Sequence, residues 1–179
     1  MGTFVLRGAQ MIGIGDPGSG FVVYIGNRPP LGEYIERQGL IPAVEEELAV
    51  IGREAGNHWR KIINIYAKLG YMIDAKGFST WQAYREEYLL IKGSGQALLF
   101  DDRIEPLGSE EVRLICGKAH AASLFANSDL GSAVERSLQW IDGDFAVDPS
   151  QRVIVTPYFD YRQLSNAKLD TLVSIINNL

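Results

Sequence analysis

The chain is poor in the residues that most often announce a function. One cysteine, Cys116, and two histidines, His58 and His120, stand among 179 residues. A lone cysteine excludes an internal disulfide and fits a reducing compartment. So few sulfur and imidazole groups make a structural zinc site improbable, and neither metal nor other cofactor is expected. Basic charge is in deficit: 17 Lys and Arg against 22 Asp and Glu give a net charge of −5. A strong, unspecific grip on nucleic acid wants a basic surface, so that class is disfavoured, although a local basic patch is not. No apolar run approaches the roughly 18 residues of a membrane span. The start, "MGTFVLRGAQ", has one cation and no long apolar block, so no secretory leader is expected, and a cytoplasmic location is. No Gly-Lys-Ser/Thr follows the glycines of "GIGDPGSG", which read as turn formers rather than a phosphate loop. No repeat, linker or low-complexity segment divides the chain.

What is present is an ordinary globular composition, 46% hydrophobic and 22% charged. One domain over 1–179 is expected, with 1–20 as lead-in and 21–179 as an α/β core. "FVVYI", "ALLF", "RLIC" and "RVIV" are short apolar runs of the kind that form buried strands, and "YMID" is a weaker candidate. "PAVEEELAVIGREAG" has Pro42 and acids at its start and predicts a helix with Val44, Leu48 and Ile51 inward. "NHWRKIINIYAKLG" predicts a second helix, capped by Asn57 and stopped by Gly70. "STWQAYREEYLLIKG", "GKAHAASLFAN" and "SNAKLDTLVSIINNL" predict three more, and "AVERSLQWIDG" is ambiguous. Alternation of strand and helix predicts a three-layer α/β/α fold with a mainly parallel central sheet. Ligands of such sheets bind at the carboxyl ends of the strands. The loops 26–34, 116–120 and 156–163 meet that condition.

Those three loops, in that order, resemble the uracil-DNA glycosylase superfamily over roughly residues 21–179. The family's strand "VVILG" followed by "QDPYH" is similar to "FVVYIG" followed by "NRPPL". Its "SLxNIYKEL" is similar to "KIINIYAKL", and "LLLNxVLT…GWExFT" to "YMIDAKGFSTWQAYR". "LLWGxxAQ" resembles "LICGKAHA", and the last motif, "APHPSPLS", resembles "VIVTPYFDYRQLS". The resemblance implies a glycosylase-like fold with its site at these loops.

The departures fall on the chemistry. Where the family has the acid of "QDPYH", Arg28 stands. An oxocarbenium-like transition state wants negative charge beside it, and a guanidinium at ~4 Å opposes it by roughly 1 to 4 kcal/mol. Tyr158 replaces the histidine of "HPSP", and a phenol still donates one hydrogen bond. Phe159 and Tyr161 replace the two prolines, and Leu164 is a weak counterpart of the inserting leucine. Asp74 falls near the asparagine that reads the uracil edge, but an ionised carboxylate cannot donate. Asn27 and Arg28 therefore suit an anion better than a cationic transition state. The alternative is that Arg28 pairs with Glu33 or Asp160 and locks two loops.

Three readings follow. The first is a catalytically divergent or inactive glycosylase-like protein that binds a nucleotide, nucleic acid or other anion through Asn27, Arg28, Lys118, Tyr158 and Arg162. The second is an active glycosylase with its acid moved to Asp74 or Asp160, with Tyr158 as a further catalytic candidate. The third is an interaction module with a closed pocket. Tyr158, Phe159 and Tyr161 either stack on a base or plug the pocket. His58, Arg60 and Lys61 form a basic helix start, with an anion site and a solvated face as the alternatives. His120 is expected to face solvent or cap a helix, and Cys116 to be a buried small hydrophobe.

Overall fold

The computed structural model describes residues 11–104, 106 and 110–179. The first ten residues of the expected lead-in lie outside these. The described residues form an α/β fold around one eight-stranded sheet. β1 (Gly13–Gly15) and β2 (Pro17–Tyr24) open the chain, followed by α1 (Gly32–Ile35) and β3 (Leu40–Ile41). Three helices come next: α2 (Glu47–Glu54), α3 (Asn57–Ile73) and α4 (Trp81–Glu87). β4 (Gly95–Leu99), β5 (Val112–Cys116), α5 (Lys118–Ala126) and α6 (Asp129–Ser137) follow. β6 (Gln139–Trp140), β7 (Ala146–Asp148), β8 (Val153–Thr156) and α7 (Asn166–Asn177) close it.

The strand order is β3-β1-β4-β2-β5-β8-β7-β6. β4, β2, β5 and β8 are mutually parallel, so the expected strands "FVVYI", "RLIC" and "RVIV" run in one direction. The sheet as a whole is mixed, and β1 and β3 also pair in parallel. β1 runs antiparallel to β4, and β6, β7 and β8 form an antiparallel meander. The links within that meander are turns, too short for the crossover that a parallel pair needs. Asp148 Oδ1 accepts from the Ser150 amide at 3.0 Å and closes the turn into β8.

Alternation along each strand divides the core. On β2, Phe21 and Val23 face one cluster, while Val22 and Tyr24 face another. Apolar faces of α2, α3, α4 and α7 cover the first side, and those of α5 and α6 the second. Tyr66 of α3 is fully buried, with its hydroxyl 3.1 Å from the carbonyls of both Phe21 and Ala97. It thereby pins the helix across β2 and β4.

Several local expectations fail, among them the helix over 79–93, which ends at Glu87. The segment 42–46 is not helical: Ala43 bridges to Ile91, α2 starts at Glu47 and Val44 is exposed. "YMID" is not a strand, because α3 runs on to Ile73. Gly70 does not stop that helix but admits Tyr84. A Cβ there would stand 2.6 Å from the Tyr84 hydroxyl, which is buried and receives a hydrogen bond from Gln96. β7, which no expectation covered, lies in "DFAVD", too short a run to declare itself.

Candidate functional site

The chain leaves β2 for β4 on one side, and the later strands β5 and β8 lie on the other. The sheet order therefore reverses between β2 and β5. The crevice outside their carboxyl ends is where open α/β sheets take ligands. Ile25–Asn27 leave β2 there, Gly117 leaves β5, and Pro157–Tyr158 leave β8.

Three polar side chains meet at this point. The Asn27 amide Nδ2 donates to the Tyr158 hydroxyl at 2.7 Å. His58 Nε2 lies 3.0 Å from the same hydroxyl and 3.4 Å from Asn27 Nδ2. The rings of His58 and Tyr158 stack, with centroids 5.6 Å apart and planes 15° apart. Burial pushes the Tyr158 phenol up to about 12, so it remains a proton donor at neutral pH. His58 reaches this place because α3 runs back along the sheet after β2. A helix of a crossover starts at the carboxyl edge and ends at the amino edge.

Two helix N-termini flank the cluster. Gly56 and Gly117, both at positive φ, occupy the cap positions of α3 and α5, so the expected Asn57 is not the cap; neither helix has a side-chain cap or an acid in its first turn. By contrast, α4, α6 and α7 are capped by Thr80, Ser128 and Ser165. The amides of an uncapped first turn lack helical partners and carry the positive end of the dipole. Gly117 sits against the Tyr158 ring, 3.9 Å from where its Cβ would be, and His58 lies in the first turn of α3.

The remaining sequence candidates are distributed differently. Arg28 pairs with neither Glu33 nor Asp160. Its Nη1 lies 2.9 Å from the carbonyls of Tyr34, Ile35 and Arg37, and its guanidinium lies over Phe100. It therefore gathers the carbonyls at and just after the end of α1, where the helix dipole also favours a cation. Glu33 instead holds the buried Arg37 at 2.9 Å. Lys118 lies over the Trp140 ring, 4.8 Å away, on the edge strand β6. Arg28 leans toward β4 and Lys118 toward β6, on opposite sides of the crevice, so these two do not converge on one anion. Arg162 is exposed on the β8 loop, where its amide donates to Asp160 Oδ1.

Asp74 and Asp160 part company. Asp74 follows the last turn of α3, paired with Lys76 on the surface. At a rise of ~1.5 Å per residue it lies about 24 Å along the helix from His58. Asp160 stays near the cluster. The Arg162 amide, then Lys61 at 3.2 Å, hold its carboxyl below the usual range.

The loop aromatics do not act together. Only Tyr158 enters the crevice. Phe159 is buried against Tyr66, and Tyr161 packs on Lys68 with its ring 4.8 Å from Nζ. Leu164 is buried in the core. Cys116 is buried too, and burial pushes its thiol up, so it stays protonated. His120 is half-buried rather than solvent-facing and lies within the first turn of α5 rather than capping it: its ring sits under Gly26, and burial holds it below the usual imidazole range. Its Nε2 has no hydrogen-bond partner among the described residues. Depressions of about 470, 400 and 210 Å³ lie on the helical face and do not touch Asn27, His58 or Tyr158.

Residues 12–177 match the model of a family of unknown function, DUF6942. The chain belongs to that family. No curated protein and no solved structure matches it. His58 is the member of the cluster that the sequence reading assigned to a solvated or anion-binding helix start. The usable signal was Trp59: its burial turns His58 off the core face by about 100°, at the carboxyl edge of the sheet.

Proposed function

We propose that this DUF6942 chain is a divergent uracil-DNA glycosylase-like protein without the excision chemistry. It binds a phosphate of a nucleotide or nucleic acid at the β2–β5 crevice. The observation that carries this reading is the pair of acid-free, glycine-capped helix starts, α3 and α5, on either side of Tyr158. Each offers unpaired amides to an anion, and the placement is at the strand edge where such sheets take ligands. Tyr158 contributes a protonated phenol, His58 an exposed ring and Asn27 an amide. None of these supplies the negative charge that a cationic sugar needs.

The experiment is fluorescence anisotropy with a short single-stranded oligonucleotide at low ionic strength, beside a uracil-excision assay. Binding is expected to weaken steeply as salt rises. Excision is expected at background. His58→Ala and Tyr158→Phe are expected to weaken binding while the protein stays folded.

A second reading is favoured by the 2.7 Å bond between Asn27 and Tyr158, which closes the point between the loops. In it the crevice is shut and the chain is an interaction module. No binding at any salt concentration selects this reading. Excision that survives His58→Ala but is lost in Asp160→Asn selects a relocated acid instead, since Asp160 is the ionised carboxylate on the Tyr158 loop.

A further inference from the structure

We propose a second anion site, for a single phosphate group of a small molecule, between α2, α3 and α4. Arg53, Arg60 and Arg85 line one depression of about 210 Å³, together with Asn64, over a floor that includes Gly52 and Ile63. One arginine comes from each of three successive helices. Among the described residues, no carboxylate lines this depression. In a chain of net charge −5, three guanidinium groups around one small volume make a local positive field that an anion among them relieves.

The site is built rather than incidental. Arg85 is fixed from two sides: its Nη1 donates to Asn64 Oδ1 at 2.7 Å, and its guanidinium lies 5.3 Å from the Trp81 ring centre. Arg60 runs over Gly52, whose added Cβ would lie 3.7 Å from the Arg60 Cβ, so α2 and α3 come close there. Arg53 pairs with Glu54 and Arg85 with Glu86, but those carboxylates are 55% and 64% exposed. Pairs that open to solvent are weak, and a phosphate gripped by several guanidinium forks displaces them.

This site is separate from the β2–β5 crevice. Arg60 and His58 are two residues apart on α3, hence about 200° apart around the helix. His58 turns to Tyr158 and Arg60 to α2. The adjoining depression of about 470 Å³ shares Arg53 and Arg85 with this one and adds Glu45, Glu46, Glu86 and Glu87. A polyanion running on along the groove from the arginines meets those four acids, whereas a single phosphate held between Arg60, Arg53 and Arg85 stops short of most of them. The chemistry therefore selects a small phosphorylated ligand over a nucleic acid.

The test follows the arginine Nε–H signals by 1H–15N NMR during titration with inorganic phosphate, with ionic strength held constant by chloride. The expected result is one saturable curve shared by Arg53, Arg60 and Arg85. Arg60→Gln is expected to weaken it at least tenfold, Arg53→Gln on the open surface by several-fold, and Tyr158→Phe not at all. Equal shifts from chloride alone, or unchanged binding in both arginine variants, overturn the proposal. So does loss of phosphate binding in Tyr158→Phe, which places the anion at the crevice. An oligonucleotide that shifts the same three signals at lower concentration than phosphate overturns the small-ligand class.

Discussion

Arg28 shows how far one residue can be read without its neighbours. A cation on the exit loop of a buried strand points to a ligand. The alternative, a partner on another loop, needs an acid within reach. Among the described residues no such acid pairs with it; its Nη1 instead gathers the carbonyls of Tyr34, Ile35 and Arg37 at and just after the four-residue α1. Sequence gives no sign of those carbonyls. Arg28→Ala is expected to destabilise the fold by about 1.5 to 3 kcal/mol, the range for hydrogen bonds to a charged group. Urea unfolding measures this, and Arg28→Lys should recover only part, since a lysine lacks the guanidinium fork. Asp160 gives a pH-dependent counterpart. Its folded carboxyl lies below the usual value, held by the Arg162 amide and then Lys61. The stability it contributes is complete above the unfolded aspartate value of about 4 and is lost as the pH falls through the lower folded value. Asp160→Asn should flatten that part of the acid-unfolding curve, whereas Asp74→Asn should leave the binding of any crevice ligand unchanged.

At the scale of elements, what the sequence made legible was the buried strands and the longer helices. β2, β4, β5 and β8 are continuous apolar runs because both faces of the sheet are covered. The edge strands were not legible, because β6 and β7 are two and three residues long and their pairing is set by the meander. Reading "YMID" as a strand also hid the site. It ended α3 early and left Asp74 near the loops, when the helix carries it to the far edge of the sheet. Gly70 misled for the same reason, since a glycine in a helix marks either a stop or a close approach. Gly70→Ala should decide which. Alanine is the better helix former by about 1 kcal/mol, yet a Cβ there meets Tyr84 at 2.6 Å. Overpacking of this kind costs typically about 1 to 3 kcal/mol, so the melting temperature should fall rather than rise.

At the scale of the whole molecule, an acidic chain keeps two helix starts free of acids on one edge of its sheet. The three loops foreseen from sequence do lead to that edge, but the side chains that meet there are Asn27, His58 and Tyr158, while Arg28 and Lys118 turn away to either side. Loop order followed from the pattern of strands, whereas side-chain direction followed from packing against α1 and β6, which no local pattern encodes. The central claim is anion binding at the β2–β5 crevice without excision. The most direct measurement is the affinity for a short single-stranded oligonucleotide across a salt series, in the wild type and in Tyr158→Phe and His58→Ala. Steep loss of affinity with salt, at least tenfold weakening in His58→Ala, and background uracil release are the predicted results. Binding that is absent at low salt, or present and indifferent to both substitutions, contradicts a phosphate site between α3 and α5.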